Sequence, residues 1–171
     1  MPSARALHEV TLNPGDYAVG DASCRMRTVL GSCVSITLWH PQQRIGAMSH
    51  FLLAARASSA SGALDARYGE EALVLMLRDL EHAGVHAIEC EAKIFGGGHM
   101  FPEQGVPSAM QVGQKNGQAA RRLVQACGIR VQSESLFGVG HRKIVFDVAS
   151  GDVWARQIHP SSGVMPWVDE S

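Results

Sequence analysis

The chain has 171 residues, 15 Lys and Arg against 16 Asp and Glu, and a net charge of −1 with 46% hydrophobic residues. That is one domain's length with enough apolar content for a sizeable core, and a balance that marks neither nucleic acid nor a strongly acidic partner. The longest apolar runs, such as Ala72 to Leu77, are far too short to cross a bilayer, and Met1 to Arg5 has no apolar h-region. The expected setting is cytoplasmic, without membrane insertion.

Val10 to Leu12 reads as a short strand ended by the Asn13-Pro14-Gly15-Asp16 turn, and Tyr17 to Val19 resumes pairing. Arg27 to Leu30 is a strand that stops at Gly31-Ser32. Cys33 to Trp39 alternates, with Val34, Ile36 and Leu38 on one face. His40 to Gln43 is a turn and Ile45 to Leu53 the return strand, so the two runs form a β-hairpin. Ala54 to Gly62, rich in Ala and Ser, reads as a flexible surface loop.

Tyr68 to Ala83 has helical apolar spacing and stops at Gly84. Ile88 to Phe95 alternates as a strand and runs into Gly96-Gly97-Gly98. Val112 to Cys127 is a second amphipathic helix, followed by Gly128. Ile129 to Leu136, Lys143 to Val148 and Val153 to Ile158 are strands, and the tail after Pro160 is irregular. Two helices and about seven strands, without regular βαβ alternation, predict an α+β fold. The whole of 1–171 is expected to be one domain with its core from about 10 to 158.

None of the four cysteines forms a Cys-x-x-Cys pair, and no histidine spacing completes a zinc site, so metal ligation is not expected. Reduced thiols are the better reading for a chain of this size. Cys90 and Cys127 read as ordinary buried residues.

Cys33 differs, because it sits on a Gly-Ser turn at the start of one hairpin strand, while His50 lies near the end of the other. An antiparallel register puts both at one end. A thiol needs such a base to become a nucleophile at neutral pH. His50 can take the thiol proton, forming a thiolate–imidazolium pair. Gly31 and Ser32 would expose the sulfur and admit a substrate carbonyl close to the backbone. Backbone N–H groups at Cys33 and its neighbours would stabilise an oxyanion, each worth about 3 kcal/mol of barrier. Thr28, on the neighbouring strand, would orient the imidazole. From spacing alone, Cys33 also fits a core cysteine, and seven other histidines compete with His50.

Gly96 to Gly98 lacks the rest of a phosphate-binding loop and reads as a tight chain reversal near the hairpin. If it lines the cleft, His99 contacts substrate, with Met100 and Phe101 as wall residues.

Five motifs in order then resemble the chemoreceptor glutamine deamidase family, CheD. They are Thr28-x-Leu30-Gly31-Ser32-Cys33-Val34, Gly46-x-Met48-x-His50-Phe51-Leu52-Leu53, Lys93 to Phe101 with its glycines, Val112-Gly113-Gln114-Lys115-Asn116, and Arg142 to Phe146 followed by Ser150-Gly151. The resemblance implies Cys33 as nucleophile, His50 as general base and Thr28 as orienting residue. It implies a β-sandwich-like core of mostly antiparallel strands with two main helices outside, similar to the cytotoxic necrotizing factor-type deamidases. The implied reaction converts glutamines on the helical cytoplasmic domain of chemoreceptors to glutamates, without metal or cofactor, and tunes chemotactic adaptation. Ala54 to Gly62 and His99 to Met110 would be the substrate loops.

Gly46-Ala47, Ala54 and Arg27 depart from common family residues. The last bears on Thr28, since some relatives carry the threonine one position upstream, and one residue of shift turns a strand side chain to the other face. A binding module that docks a CheC-type phosphatase is the alternative. A papain-like protease or transglutaminase shares the Cys-His chemistry but usually carries its cysteine on a helix N-terminus.

Overall fold

The computed structural model describes residues 6–58, 62–100 and 107–159, with the side chains of 107–111 excepted. Nine strands, two α-helices and one short 3₁₀ turn make up the described residues. One sheet contains β1 (His8–Thr11), β3 (Cys24–Leu30), β8 (His141–Asp147) and β9 (Val153–Ile158), in that order. The other runs β2 (Tyr17–Gly20), β5 (Ile45–Ser49), β4 (Val34–His40), β6 (Glu91–Gly96) and β7 (Arg130–Leu136). The α1 helix (Gly69–His82) and α2 helix (Pro107–Ala126) both pack on the five-stranded sheet. The α+β expectation with two helices holds. The sheets are mixed, since β1 with β3 and β6 with β7 are parallel pairs and the other pairs are antiparallel.

Period-2 alternation builds the layers. On β4, Val34, Ile36 and Leu38 face the helices and join Leu73, Met76 and Leu80 of α1 and Ala120 and Val124 of α2 in one core. Met48 and Phe95 point the other way and meet Met26, Leu30, Ile144 and Phe146 of the four-stranded sheet in a second core. The order is therefore sheet, sheet, helices. The outer face of the four-stranded sheet has no helix over it among the described residues.

Several boundaries differ from the sequence expectation for local reasons. The return strand stops at Ser49 rather than Leu53, because the backbone of His50 turns to a different partner. Its N–H donates to Asp16 O at 3.0 Å and its carbonyl accepts from Gly15 N at 2.8 Å. Beyond it Phe51 keeps a single antiparallel bridge to Val34, and Leu53 instead bridges Tyr68 in parallel. The strand expected from Ile88 begins at Glu91 instead. Glu89 and Cys90 bond back to His86 and Ala87, closing a 3₁₀ turn that leaves Ile88 exposed. The α2 helix starts at Pro107, ahead of Val112; proline suits a first helical position, where the N–H has no intrahelical partner. Together β6, α2 and β7 form one βαβ crossover. Residues 59–61 of the expected flexible loop, 101–106 of the expected substrate loop and the tail from 160 lie outside the described residues.

Candidate active site

Cys33 lies just before β4, in the turn that leaves β3 at Gly31. Val34 bridges Phe51 across the hairpin, so the chain neighbours Cys33 and His50 both point away from the helix layer. They are diagonal neighbours on one face, a spacing that long side chains can span. Thiol and imidazole are not hydrogen-bonded to one another in this structure.

His50 is 2% exposed and Thr28 3%. Thr28 Oγ1 lies 2.7 Å from His50 Nδ1, and donates to Leu12 O at 2.7 Å. A hydroxyl has one proton, and the carbonyl of Leu12 can only accept it. Thr28 Oγ1 must therefore accept from Nδ1–H. That fixes the neutral tautomer and leaves Nε2 unprotonated. Thr28 is not on a strand next to the hairpin, as expected. It stands on β3 in the opposite sheet, on the inward face with Met26 and Leu30, and reaches His50 across the sandwich.

Burial pushes the Cys33 thiol above its ordinary value. It pulls the His50 imidazole down to about 4, against a smaller opposing pull from the Asp16 carboxylate. Both shifts disfavour charge, so at rest the pair is thiol and neutral imidazole. Thiolate and imidazolium are a state reached during reaction.

The cysteine turn is held through its backbone. Gly97 N donates to Cys33 O at 2.9 Å and Gly98 N to Gly31 O at 2.9 Å. Gly96 has φ +113°, and a Cβ there would lie 2.2 Å from Cys33 O, so only glycine permits this approach. The triglycine lies beside the hairpin as expected but is not the tight reversal expected there: Gly96 pairs with Leu136 and His99 bridges Val139, both in parallel, so the chain runs on in the direction of β6. Among the described residues, Ser32 N and Cys33 N have no acceptor. Met100 packs over Gly31. His99 is tied by its backbone to Gly138 and Gly140, while its Nε2 is buried without a hydrogen-bond partner. It follows directly on the glycine bonded to Gly31.

Two buried polar residues had no role assigned from spacing. Asn116, on α2 and 2% exposed, donates from Nδ2 to Ser32 O at 3.1 Å and to Leu52 O at 2.8 Å. One side chain thereby joins the cysteine turn to the segment just after His50. Arg142, 3% exposed, donates to Gly96 O at 2.7 Å and Phe137 O at 2.6 Å, bracing the triglycine. The only sequence signal for either was its place in a family motif.

A cavity of about 370 Å³ reaches the dyad from the histidine side, with His50 and Thr28 in its wall beside Leu12, Pro14, Val29 and Lys143. Cys33 does not line it. Among the described residues, no three His, Cys, Asp or Glu side chains are grouped to hold a metal, and no helix is long and apolar enough to cross a membrane.

Comparison with known proteins gives a consistent result. The family model described as "CheD chemotactic sensory transduction" matches residues 52–157. "Probable chemoreceptor glutamine deamidase CheD 2" of Albidiferax ferrireducens is 58% identical over 89% of this chain and 88% of its own. "Probable chemoreceptor glutamine deamidase CheD 1" of Chromobacterium violaceum is 43% identical over 91% and 81%. The CheD protein of the same description from Thermococcus kodakarensis is 38% identical over 88% and 93%. A solved structure, Neisseria meningitidis protein NMB0706, overlays with a TM-score of only 0.37 at 15% identity, over 72% of this chain and 52% of that one, too weak a likeness to argue from. With a family model across most of the chain and near-full-length relatives at this identity, the chain belongs to the CheD family.

Proposed function

We propose that this protein is a cysteine-dependent protein-glutamine glutaminase, which deamidates specific glutamines on the cytoplasmic helices of chemoreceptors and so tunes chemotactic adaptation. The observation that carries the reading is the 2.7 Å contact between Thr28 Oγ1 and His50 Nδ1, which leaves Nε2 as a base on the face shared with Cys33. The names of the relatives supply the substrate class. The sandwich core is in keeping with the implied likeness to cytotoxic necrotizing factor-type deamidases.

In this mechanism the glutamine carboxamide enters beside Cys33. His50 Nε2 takes the thiol proton as Sγ attacks the amide carbon. The N–H groups of Ser32 and Cys33 face the developing oxyanion. Imidazolium then protonates the leaving nitrogen, the C–N bond breaks, and ammonia departs from a thioester. His50 next accepts a proton from water, which attacks the thioester. Glutamate and the free thiol are released, and His50 is neutral again. Each turnover adds a carboxylate to the receptor helix and needs no metal or cofactor. Gly31, Ser32 and His99 line the approach. The reaction takes place in the cytoplasm, with 1–171 acting as one domain.

The test is incubation of the protein and its Cys33→Ala variant with a chemoreceptor cytoplasmic fragment, read by peptide mass spectrometry. Conversion of particular glutamines by the parent protein alone is the expected result. Conversion that survives Cys33→Ala would overturn the mechanism. No conversion with folded protein would move the reading to a binding module, such as one that docks a CheC-type phosphatase.

A further inference from the structure

The Cys33 thiol and the His50 imidazole are diagonal neighbours on one sheet face and are not hydrogen-bonded to one another. Cysteine is a short side chain, and the diagonal separation of Cβ atoms in a sheet is about 7 Å. A serine stands at the third corner of that pair. Val34 bridges Phe51 and Thr37 pairs with Met48, so between them Ser35 lies directly opposite His50. Cβ atoms directly opposite one another are about 5 Å apart. Along its own strand Ser35 follows Cys33 by two residues. It alternates with Val34 and Ile36, which face the helices, so its side chain shares the face of Cys33 and His50.

The hydroxyl of Ser35 is unlike its neighbours. Ser35 is 0% exposed, and its Oγ has no hydrogen-bond partner among the described residues. The other buried hydroxyls there are satisfied. Thr28 Oγ1 donates to Leu12 O, Thr37 Oγ1 donates to Lys93 O at 3.5 Å, and Ser49 Oγ accepts from Ile36 N at 3.1 Å. A buried hydroxyl without a partner lowers stability, and alanine at the same place would not.

The surroundings leave few groups for this hydroxyl to serve. Phe95 stands opposite it on β6, and Met26, Leu30, Ile144 and Phe146 are the apolar residues of the facing sheet. Thr28 and Arg142 of that sheet are bound elsewhere. Cys33 and His50 remain, with a thiol proton on one side and the unprotonated Nε2 on the other.

We propose that Ser35 is a proton relay between the two members of the dyad. Its Oγ accepts the thiol proton of Cys33 while its own proton passes to His50 Nε2. As Sγ attacks the amide carbon, the S–H bond breaks and a new O–H bond forms at Ser35. The original O–H bond breaks and an N–H bond forms at Nε2. The serine ends as it began, and the imidazolium proton is then available to the leaving nitrogen. A hydroxyl can act this way because it both accepts and donates, and this one holds no other bond and turns about a single side-chain torsion. The inference rests on the deamidase reading for the identity of the attacked carbon. The geometry of the relay serves any electrophile at Cys33.

The test compares Ser35→Ala and Ser35→Thr in the full chain by three readouts. They are the urea midpoint, the pH dependence of Cys33 alkylation by iodoacetamide, and turnover of a chemoreceptor cytoplasmic fragment. Ser35→Ala should keep or raise the urea midpoint, because it deletes an unpaired hydroxyl. It should lower kcat at least about tenfold with KM little changed. It should also slow alkylation about fivefold between about pH 7 and 8, with the rates converging above about pH 10, where hydroxide removes the proton directly. Ser35→Thr keeps the hydroxyl and should recover most of both rates. Unchanged kcat and unchanged alkylation in Ser35→Ala would overturn the relay. So would a loss that accompanies a lower urea midpoint and is equal at every pH, which marks packing. The alkylation arm needs no receptor, so the two readings fail separately. If alkylation responds as expected and no glutamine is converted, the relay stands without the deamidase. If Ser35→Ala deamidates the fragment at the parent rate, the deamidase stands without the relay.

Discussion

The two halves of the dyad are held in opposite ways. His50 is fixed by its side chain, through Thr28 and Leu12 of the facing strand layer, and by its backbone, clamped to Gly15 and Asp16. Cys33 is held through its main chain, its carbonyl bound by Gly97 and its turn tied by Asn116, and its side chain packs against the second core, with no hydrogen bond to the thiol among the described residues. The base is pre-organised in one tautomer, and the nucleophile sits on a hydrogen-bonded turn with no polar partner for its sulfur among the described residues. That division suits a reaction in which the sulfur must move from resting thiol to attacking thiolate while the base stays put.

Breaking the rigid side of the turn should have the largest effect. Gly96→Ala introduces a Cβ 2.2 Å from Cys33 O at φ +113°. The strain and the forced shift should cost at least about 3 kcal/mol, read as a lower urea midpoint, with loss of turnover in what remains folded. Unchanged stability would show that the triglycine can move away and is not the brace described.

Next comes the histidine side. Thr28→Val keeps the shape but leaves Nδ1–H of His50 buried without an acceptor, so kcat should fall about 30-fold, while Thr28→Ser stays within a few-fold. Equal losses in both variants would point to packing rather than to the hydrogen bond. The smallest effect is expected where the two halves are joined. Asn116→Ala removes two hydrogen bonds to carbonyls, and should cost about 2 kcal/mol of stability and lower kcat about tenfold with KM little changed. A change in KM alone would place Asn116 in substrate binding instead.

How much of this was legible in the sequence follows from contact range. The hairpin is a local object. Alternation along Cys33 to Trp39 and the turn after His40 already put Cys33 and His50 at one end, while their shared face follows from the bridge of Val34 to Phe51. The layers were partly legible too, since Val34, Ile36 and Leu38 segregate by period 2. Thr28 was visible as a residue but misplaced, because pairing between distant strands decides whether β3 joins the hairpin's sheet or faces it. β3 pairs with β8, far along the chain, and no local pattern encodes that choice. Asn116 and Arg142 were the least legible. Each satisfies carbonyls remote in sequence, and a lone Asn on a helix or Arg on a strand reads as a surface residue until the fold buries it. The stop of β5 at Ser49 was hidden for the same reason, as it depends on the Gly15-Asp16 turn folding onto His50.

The most direct test of a neutral, histidine-assisted cysteine is the rate of Cys33 alkylation by iodoacetamide as a function of pH, resolved from Cys24, Cys90 and Cys127 by peptide mass spectrometry. Burial holds the thiol above its ordinary 9.0, so thiolate becomes abundant only above that pH. The account predicts slow alkylation through neutral pH and a rise beyond about pH 9. A rate already at its plateau near about pH 6 would mean a preformed thiolate–imidazolium pair, and would contradict the resting state derived from the burial of Cys33 and His50.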